Sequence, residues 1–487
     1  MINARSWLGG CLLTSVLSLV ACSSASAPEV HLATLERARP PAVHPWSTAA
    51  RAQLKREIDA ALAPVGGSPR NGFVVLADDR SVLYARNATV PRTPASTLKV
   101  VTAATALAIL GPRYRFTTRM VALHPLAGHV LPDDLWLVGG GDPVLSSDDV
   151  HDGIAHLAAA GLRTIAGKAM IDASAFGGPA QNPHWAADDL NLDYAAGTSS
   201  LSLDGDVAIF SVQPQAFGSP AQVRLLPANR GVRMTGQIIT SGSSAVTIDH
   251  QEGVNSFRLG GTIVPGAEQR FPIPMGDVPH FVGGVVDAML HARGISTLGP
   301  SEVGLAPIGG VTLWLHRSPP LAEIVHHMLV VSDNHVAEQL LRLLGTTVHQ
   351  SGTESAGIAV EHTFLARIGV SAAGMHTYDG SGLAPADRIA PLTLAEILAD
   401  ADARAGSPLV LGLPRVGIEG TVANHQLSAA AGRVRAKSGH IMGVDGLVGV
   451  VVTRHHGRVA FAFLANDADD GTVENAEDTI LDAISRY

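Results

Sequence analysis

Lysine is nearly absent from this chain. Of its 34 basic residues only Lys55, Lys99, Lys168 and Lys437 are lysine, and arginine takes the rest. No basic run occurs and the formal net charge is −9, which argues against a nucleic-acid-binding protein. Cysteine is scarcer still. Cys11 and Cys22 are the only two, and Cys11 sits in a leader, so the mature body has no disulfide and draws its stability from its core. Charged residues make up 16% against 46% hydrophobic, which excludes an extensively disordered chain. Beyond the leader no apolar run is long enough to span a bilayer, so no second membrane segment is expected.

What is present begins with that leader. "MINARSWLGGCLLTSVLSLVACSSASA" sets Arg5 ahead of an apolar stretch from Trp7 to Ala21, the pattern of an export signal over residues 1–21. Two processing routes fit. "LVAC" at Leu19 to Cys22 resembles a bacterial lipoprotein box, with Cys22 as the lipidated residue and the lipid as the only membrane attachment. "ASA" at Ala25 to Ala27 fits ordinary cleavage and release of a soluble protein. The first is favoured, because Cys22 stands directly at the end of the apolar run. Residues 22–46, rich in Ser, Ala and Pro, read as a tether. Either route puts the protein in the cell envelope or outside it.

At 487 residues the chain suggests two to four domains. Ser47 is a candidate N-cap for a helix to about Leu62, with Leu54, Ile58 and Ala61 on one face. Gly72 to Asn87 reads as a hairpin turning at Asp78–Asp79. Val100 to Leu110 is apolar or small on nearly every face, as a helix in the centre of a domain must be. The last quarter mirrors the start, with a strand at Gly432 to His440, a hairpin over Gly446 to Asp467 and a terminal helix burying Val473, Ala476, Ile480 and Ile484. Both chain ends are therefore expected to build one antiparallel sheet covered by helices, an α+β arrangement within the α/β class. Residues 47–114 and 280–487 would form this discontinuous body. Residues 115–279, with short strands, many turns and one helix near Asp148 to Ala160, would form two inserted β-rich domains, the inner one over about 205–265.

Two of the four lysines fall in chemically suggestive places. Ser96 and Lys99 are three apart at a helix start, which puts both on one face. Serine needs a base to act as a nucleophile, and a buried lysine can be one because desolvation lowers its pKa; arginine cannot. Alone, the pair is better read as an N-cap serine and a solvated helix lysine. Two further elements change the balance. Ser332, Asp333 and Asn334 form "SDN" at a junction of two amphipathic helices, Leu321–Leu329 and Asn334–Leu344, and "KSG" at Lys437 to Gly439 lies on a strand. The order S-x-x-K, S-D-N, K-[ST]-G is the set of the penicillin-binding proteins and class A β-lactamases.

On these motifs the chain resembles the D-alanyl-D-alanine carboxypeptidase/endopeptidase family, the class C low-molecular-mass penicillin-binding proteins, over roughly residues 50–487. The segments "PASTLKVVTAATALAILG", "LWLVGGGDPVL", "MLVVSDNHVAEQLLRLLG" and "DGSGLAPADRIAP" carry the likeness. The long interval between Ser96 and Ser332 fits this family and not the lactamases. The resemblance implies a penicillin-binding/serine β-lactamase-like transpeptidase domain with nested insertions. It implies Ser96 as nucleophile, Lys99 as base, Ser332 as proton relay and Asn334 as a substrate contact. Lys437 would keep its charge and, with Ser438, meet a terminal carboxylate. Backbone N–H groups of Ser96 and His440 would hold the oxyanion, with Asp333 and Gly439 among the substrate-binding residues. The implied substrates are peptidoglycan stem peptides, with β-lactams as inhibitors and neither metal nor cofactor. Twenty-one histidines, including His326–His327 and His455–His456, show no metal-ligand spacing. A β-lactamase or esterase on the same site, and a catalytically silent wall scaffold, are the alternatives.

Overall fold

The computed structural model describes residues 44–487 except 251–252 and 467–468. The leader, Cys22 and the tether up to residue 43 lie outside the described residues. Among the described residues no helix is long and apolar enough to cross a membrane.

The two ends of the chain meet in one antiparallel sheet. Its order is Val434–Ile441, Val444–Val452, Arg458–Ala465, Asn71–Leu76 and Val82–Arg86. Phe73 pairs with Phe463 and Ser438 with Leu447. Both faces are covered, and the strand residues sort by alternation. Phe461 and Phe463 face the terminal helices Thr48–Ala61 and Asp470–Ser485, where Leu54, Ile58, Val473, Ile480 and Ile484 complete the layer. Ala460, Ala462 and Leu464 face the opposite layer, built around the helix Lys99–Ile109. That helix buries Val100, Val101, Ala103, Ala104 and Ala106 among the helices Leu321–Val331, Asn334–His349 and Pro391–Asp402. Ser47 caps the first helix, its side chain accepting from Ala50 N at 3.1 Å.

A second core stands on another five-stranded sheet, ordered Glu302–Val303, Ala169–Asp172, Leu135–Val138, Thr117–Ala122 and Val311–Arg317. This corrects one expected boundary. The sequence reading ended the insertion at residue 279, but Arg317 pairs with Thr117 and Val311 with Ala122. The helix Val278–Ala292 likewise buries Phe281, Val282, Val285, Val286 and Leu290 in this second core. Its apolar stripe gave no sign of which core it would join. Between these elements the strands from Val207 to Pro274 form two smaller sheets, and Gln269–Pro274 closes on Val207–Gln213 beyond the expected inner limit of 265.

Candidate active site

Ser96 lies in a single 3-10 turn, Ala95–Leu98, that runs into the helix Lys99–Ile109. In a 3-10 turn the side chains at i and i+3 eclipse each other, nearer than α-helical spacing brings them. Ser96 and Lys99 have that relation, and Lys99 Nζ donates to Ser96 Oγ at 2.8 Å. The turn opens with Ala95 at φ +46°, in the left-handed region that costs a residue with a Cβ roughly 1–3 kcal/mol. Gly382 passes directly beneath. A Cβ there would stand 1.9 Å from Ala95 O, and its own φ is +81°.

Lys99 is completely buried. Its Nζ also donates to Asn334 Oδ1 at 2.6 Å and to Ser381 O at 2.9 Å. Burial brings its pKa from 10.5 down to about 8, against the opposing pull of Asp379, Glu338 and Asp333. The two further partners can only accept. A neutral amine has two N–H groups and one lone pair, so once its hydrogens are directed at Asn334 and Ser381 the lone pair faces the Ser96 hydroxyl.

Ser332 and Asn334 reach the site from the junction of Leu321–Val331 and Asn334–His349. Ser332 turns the chain in the left-handed conformation, φ +63°. Asn334 is oriented at its other end, where Nδ2 donates to Tyr194 O at 2.9 Å. Asp333, expected among the substrate-binding residues, sits between Ser332 and Asn334 at the helix junction. Its carboxylate caps the second helix by accepting from Val336 N at 3.0 Å, and its other oxygen lies 3.6 Å from His327 Nε2. Burial raises its pKa, but His327, His335 and the Val336 N–H outweigh this and hold it below the ordinary value.

The edge strand Val434–Ile441 closes the site. Ser438 Oγ lies 2.7 Å from Thr421 Oγ1. Gly439 is where strand and nucleophile turn meet, because a Cβ there would stand 2.8 Å from Pro94 O and Thr97 N and 3.0 Å from Ser96 N. Lys437 is completely buried, donating to Ser438 O at 2.6 Å. Burial and then the nearby Lys99 pull its pKa well below 10.5. A carboxylate brought alongside would favour its charged form. Ser96, Ser332, Ser438 and His440 line one cavity of about 430 Å³, together with Thr421, Asn424 and His425.

Beneath Lys99 lies a layer of buried acids that sequence reasoning did not foresee. Glu338 Oε1 accepts from Gly380 N at 3.1 Å and Ser381 N at 2.9 Å, holding the carbonyl that receives Lys99. Asp379 accepts from Gly382 N and Ala384 N, both at 2.7 Å, and from Trp185 Nε1 at 2.9 Å. Nothing in the sequence pointed to Trp185. Burial and the adjacent Asp379 push Asp387 up to about 11, so it is neutral at pH 7. Asp387→Asn should then leave the acylation rate and the melting temperature unchanged. Asp387→Ala, which strips the acceptor from Tyr378 N at 2.8 Å, should lower stability by about 1–3 kcal/mol in a denaturant titration. The paired histidines are structural: His326 Nδ1 lies 3.0 Å from Gly412 O, and His456 stacks on Trp46 at 4.4 Å.

With this geometry in hand, comparison with known proteins is informative. The profile of the family described as the D-Ala-D-Ala carboxypeptidase 3 (S13) family matches residues 54–486. A D-alanyl-D-alanine carboxypeptidase of Actinomadura sp. (strain R39) is 29% identical over 469 residues, covering 92% of this chain and 87% of its own. Among solved structures, penicillin binding protein 4 (dacB) from Haemophilus influenzae superimposes with a TM-score of 0.78 at 20% identity, over 88% of this chain and 99% of that one. The same Haemophilus protein complexed with a novel β-lactam gives a TM-score of 0.72 at 19% identity, over 88% of this chain and 100% of that one.

Proposed function

The chain belongs to the D-Ala-D-Ala carboxypeptidase 3 (S13) family and is a serine D,D-peptidase, and on that premise we propose the roles its residues play. Ser96 Oγ attacks the carbonyl of a D-Ala-D-Ala bond in a peptidoglycan stem peptide. Lys99 takes the hydroxyl proton. The observation that carries this assignment is the three-way contact at Lys99 Nζ, in which two obligate acceptors leave only the Ser96 hydroxyl to meet the lone pair. Burial supports it by keeping a useful fraction of the amine neutral near pH 8.

Backbone N–H groups of Ser96 and His440 receive the oxyanion as the tetrahedral intermediate forms; losing one such donor typically costs about 3–4 kcal/mol. The proton taken up by Lys99 is relayed through Ser332 to the leaving amine, and the C–N bond breaks to give an ester on Ser96 and free D-alanine. Asn334 holds the substrate amide while Ser438 and Thr421 meet the terminal carboxylate. Lys437, beside Ser438, attracts that carboxylate with its charged form. Water then hydrolyses the ester. A β-lactam acylates the same oxygen, a reading in keeping with the β-lactam complex of the Haemophilus protein. The enzyme works outside the cytoplasm, where peptidoglycan lies. Cys22 is the residue that would carry a lipid anchor. The catalytic body is formed from both chain ends and interrupted by two nested insertions, the outer one extending to about residue 317.

The test is release of D-alanine from diacetyl-L-Lys-D-Ala-D-Ala, followed by a coupled oxidase assay. The wild-type protein should release one equivalent. Ser332→Ala should slow kcat by about 10²–10⁴-fold, the range for a lost proton relay. Unchanged release by Ser332→Ala would remove that residue from the mechanism.

A further inference from the structure

The cavity that holds Ser96 has a second chemical character. Asp445, Glu474 and Glu477 contribute three carboxyls to its lining, and neither lysine nor arginine lines it. Glu477 is the unusual one. It comes from the C-terminal helix, is 2% exposed, and its Oε1 has no hydrogen-bond partner among the described residues. The neighbouring Asp478 is fully engaged by contrast, with His425 Nδ1 and Gln426 N each at 2.7 Å. Burial, followed by Asp445, Asp478 and Glu474, raises the Glu477 pKa well above the ordinary carboxylate range, and no cation opposes them. Helix packing does not call for an acid here: Val473, Ala476 and Ile480 already fill the core on either side. A buried carboxyl oxygen without a partner is destabilising unless something completes it. Among the described residues no group of three or more acids, histidines or cysteines is arranged to hold a metal ion. What suits the site is an organic cation.

We propose that Glu477, with Glu474, forms a subsite for a side-chain ammonium on the leaving residue, so that the enzyme removes a cationic D-amino acid in preference to a neutral one of the same size. The inference rests on the Ser96 reading, which puts Ser438 and Thr421, and with them the leaving residue, in this cavity. D-alanine has only a methyl group and leaves the carboxyls unused. A longer side chain ending in an ammonium would give Glu477 Oε1 its missing partner and favour the ionised form.

The experiment compares diacetyl-L-Lys-D-Ala-X, where X is D-lysine or D-norleucine, which share a chain but differ in charge. For the wild-type protein kcat/KM should favour D-lysine by roughly tenfold at neutral pH, the scale of one charge-assisted contact. In Glu477→Gln that ratio should fall to about one, and in Glu474→Gln to an intermediate value. Equal rates for the two peptides with the wild-type protein would overturn the proposal, and so would an undiminished ratio in Glu477→Gln. The wild-type comparison decides whether or not a variant folds. Failure of benzylpenicillin to acylate the wild-type protein would be a different result, against the Ser96 reading itself.

Discussion

Lys99→Arg should lose acylation by about 10²–10⁴-fold while keeping a positive charge and N–H donors at the site. The substitution separates two roles that a lysine could have. If Lys99 only attracted or oriented the substrate, arginine would serve. If Lys99 must give up its proton to receive that of Ser96, arginine cannot, because a guanidinium stays protonated. Lys99→Met, neutral and of similar length, should be equally inactive. Stopped-flow acylation by a chromogenic cephalosporin gives the rates. The pH dependence carries the same claim. With its pKa lowered to about 8, Lys99 is protonated and inactive as a base below that pH and neutral above it. Acylation should therefore rise with pH through about 8 and fall roughly tenfold per unit on the acid side. Glu338, pushed up to about 8 by burial and then Asp379, titrates in the same window. Glu338→Gln should keep the limb, and its disappearance there would assign it to the glutamate instead.

The second large effect is expected from one methyl group. Gly439→Ala should reduce kcat/KM by about 10²-fold, the usual cost of moving a reacting group by about 1 Å. The new Cβ would lie 2.8 Å from Pro94 O and Thr97 N, which are backbone atoms with no rotamer to change. Either the edge strand or the turn carrying Ser96 must move, and the two proposed oxyanion donors, the N–H groups of His440 and Ser96, sit one on each. A melting curve close to wild type beside the lost activity would distinguish this from unfolding. Gly382→Ala should behave differently, losing stability as well, because φ +81° and a 1.9 Å approach to Ala95 O penalise the folded chain directly.

The parts of the fold that follow local rules were readable in advance. The helix Lys99–Ile109 is apolar or small on nearly every face and is buried from Lys99 to Leu107. The inward residues of the last helix, Val473, Ala476, Ile480 and Ile484, follow from its period, and Ser47 from cap chemistry. That Ser96 and Lys99 share a face could be read from spacing, although their tight contact comes from a 3-10 turn that spacing does not specify. What escaped depends on long-range partners. The helix Val278–Ala292 was assigned to the wrong core because an apolar stripe does not say which surface will cover it. Trp185 on Asp379, and Glu477 in the cavity, are separated by long stretches of chain from the groups they serve. No periodicity records such pairs.

The most direct test of the account is intact mass after incubation with benzylpenicillin, on the wild-type protein and on Ser96→Ala. The account predicts one covalent penicillin on the former and none on the latter. An adduct that survives in Ser96→Ala, or a wild-type protein that stays unmodified while the penicillin remains intact, would contradict it.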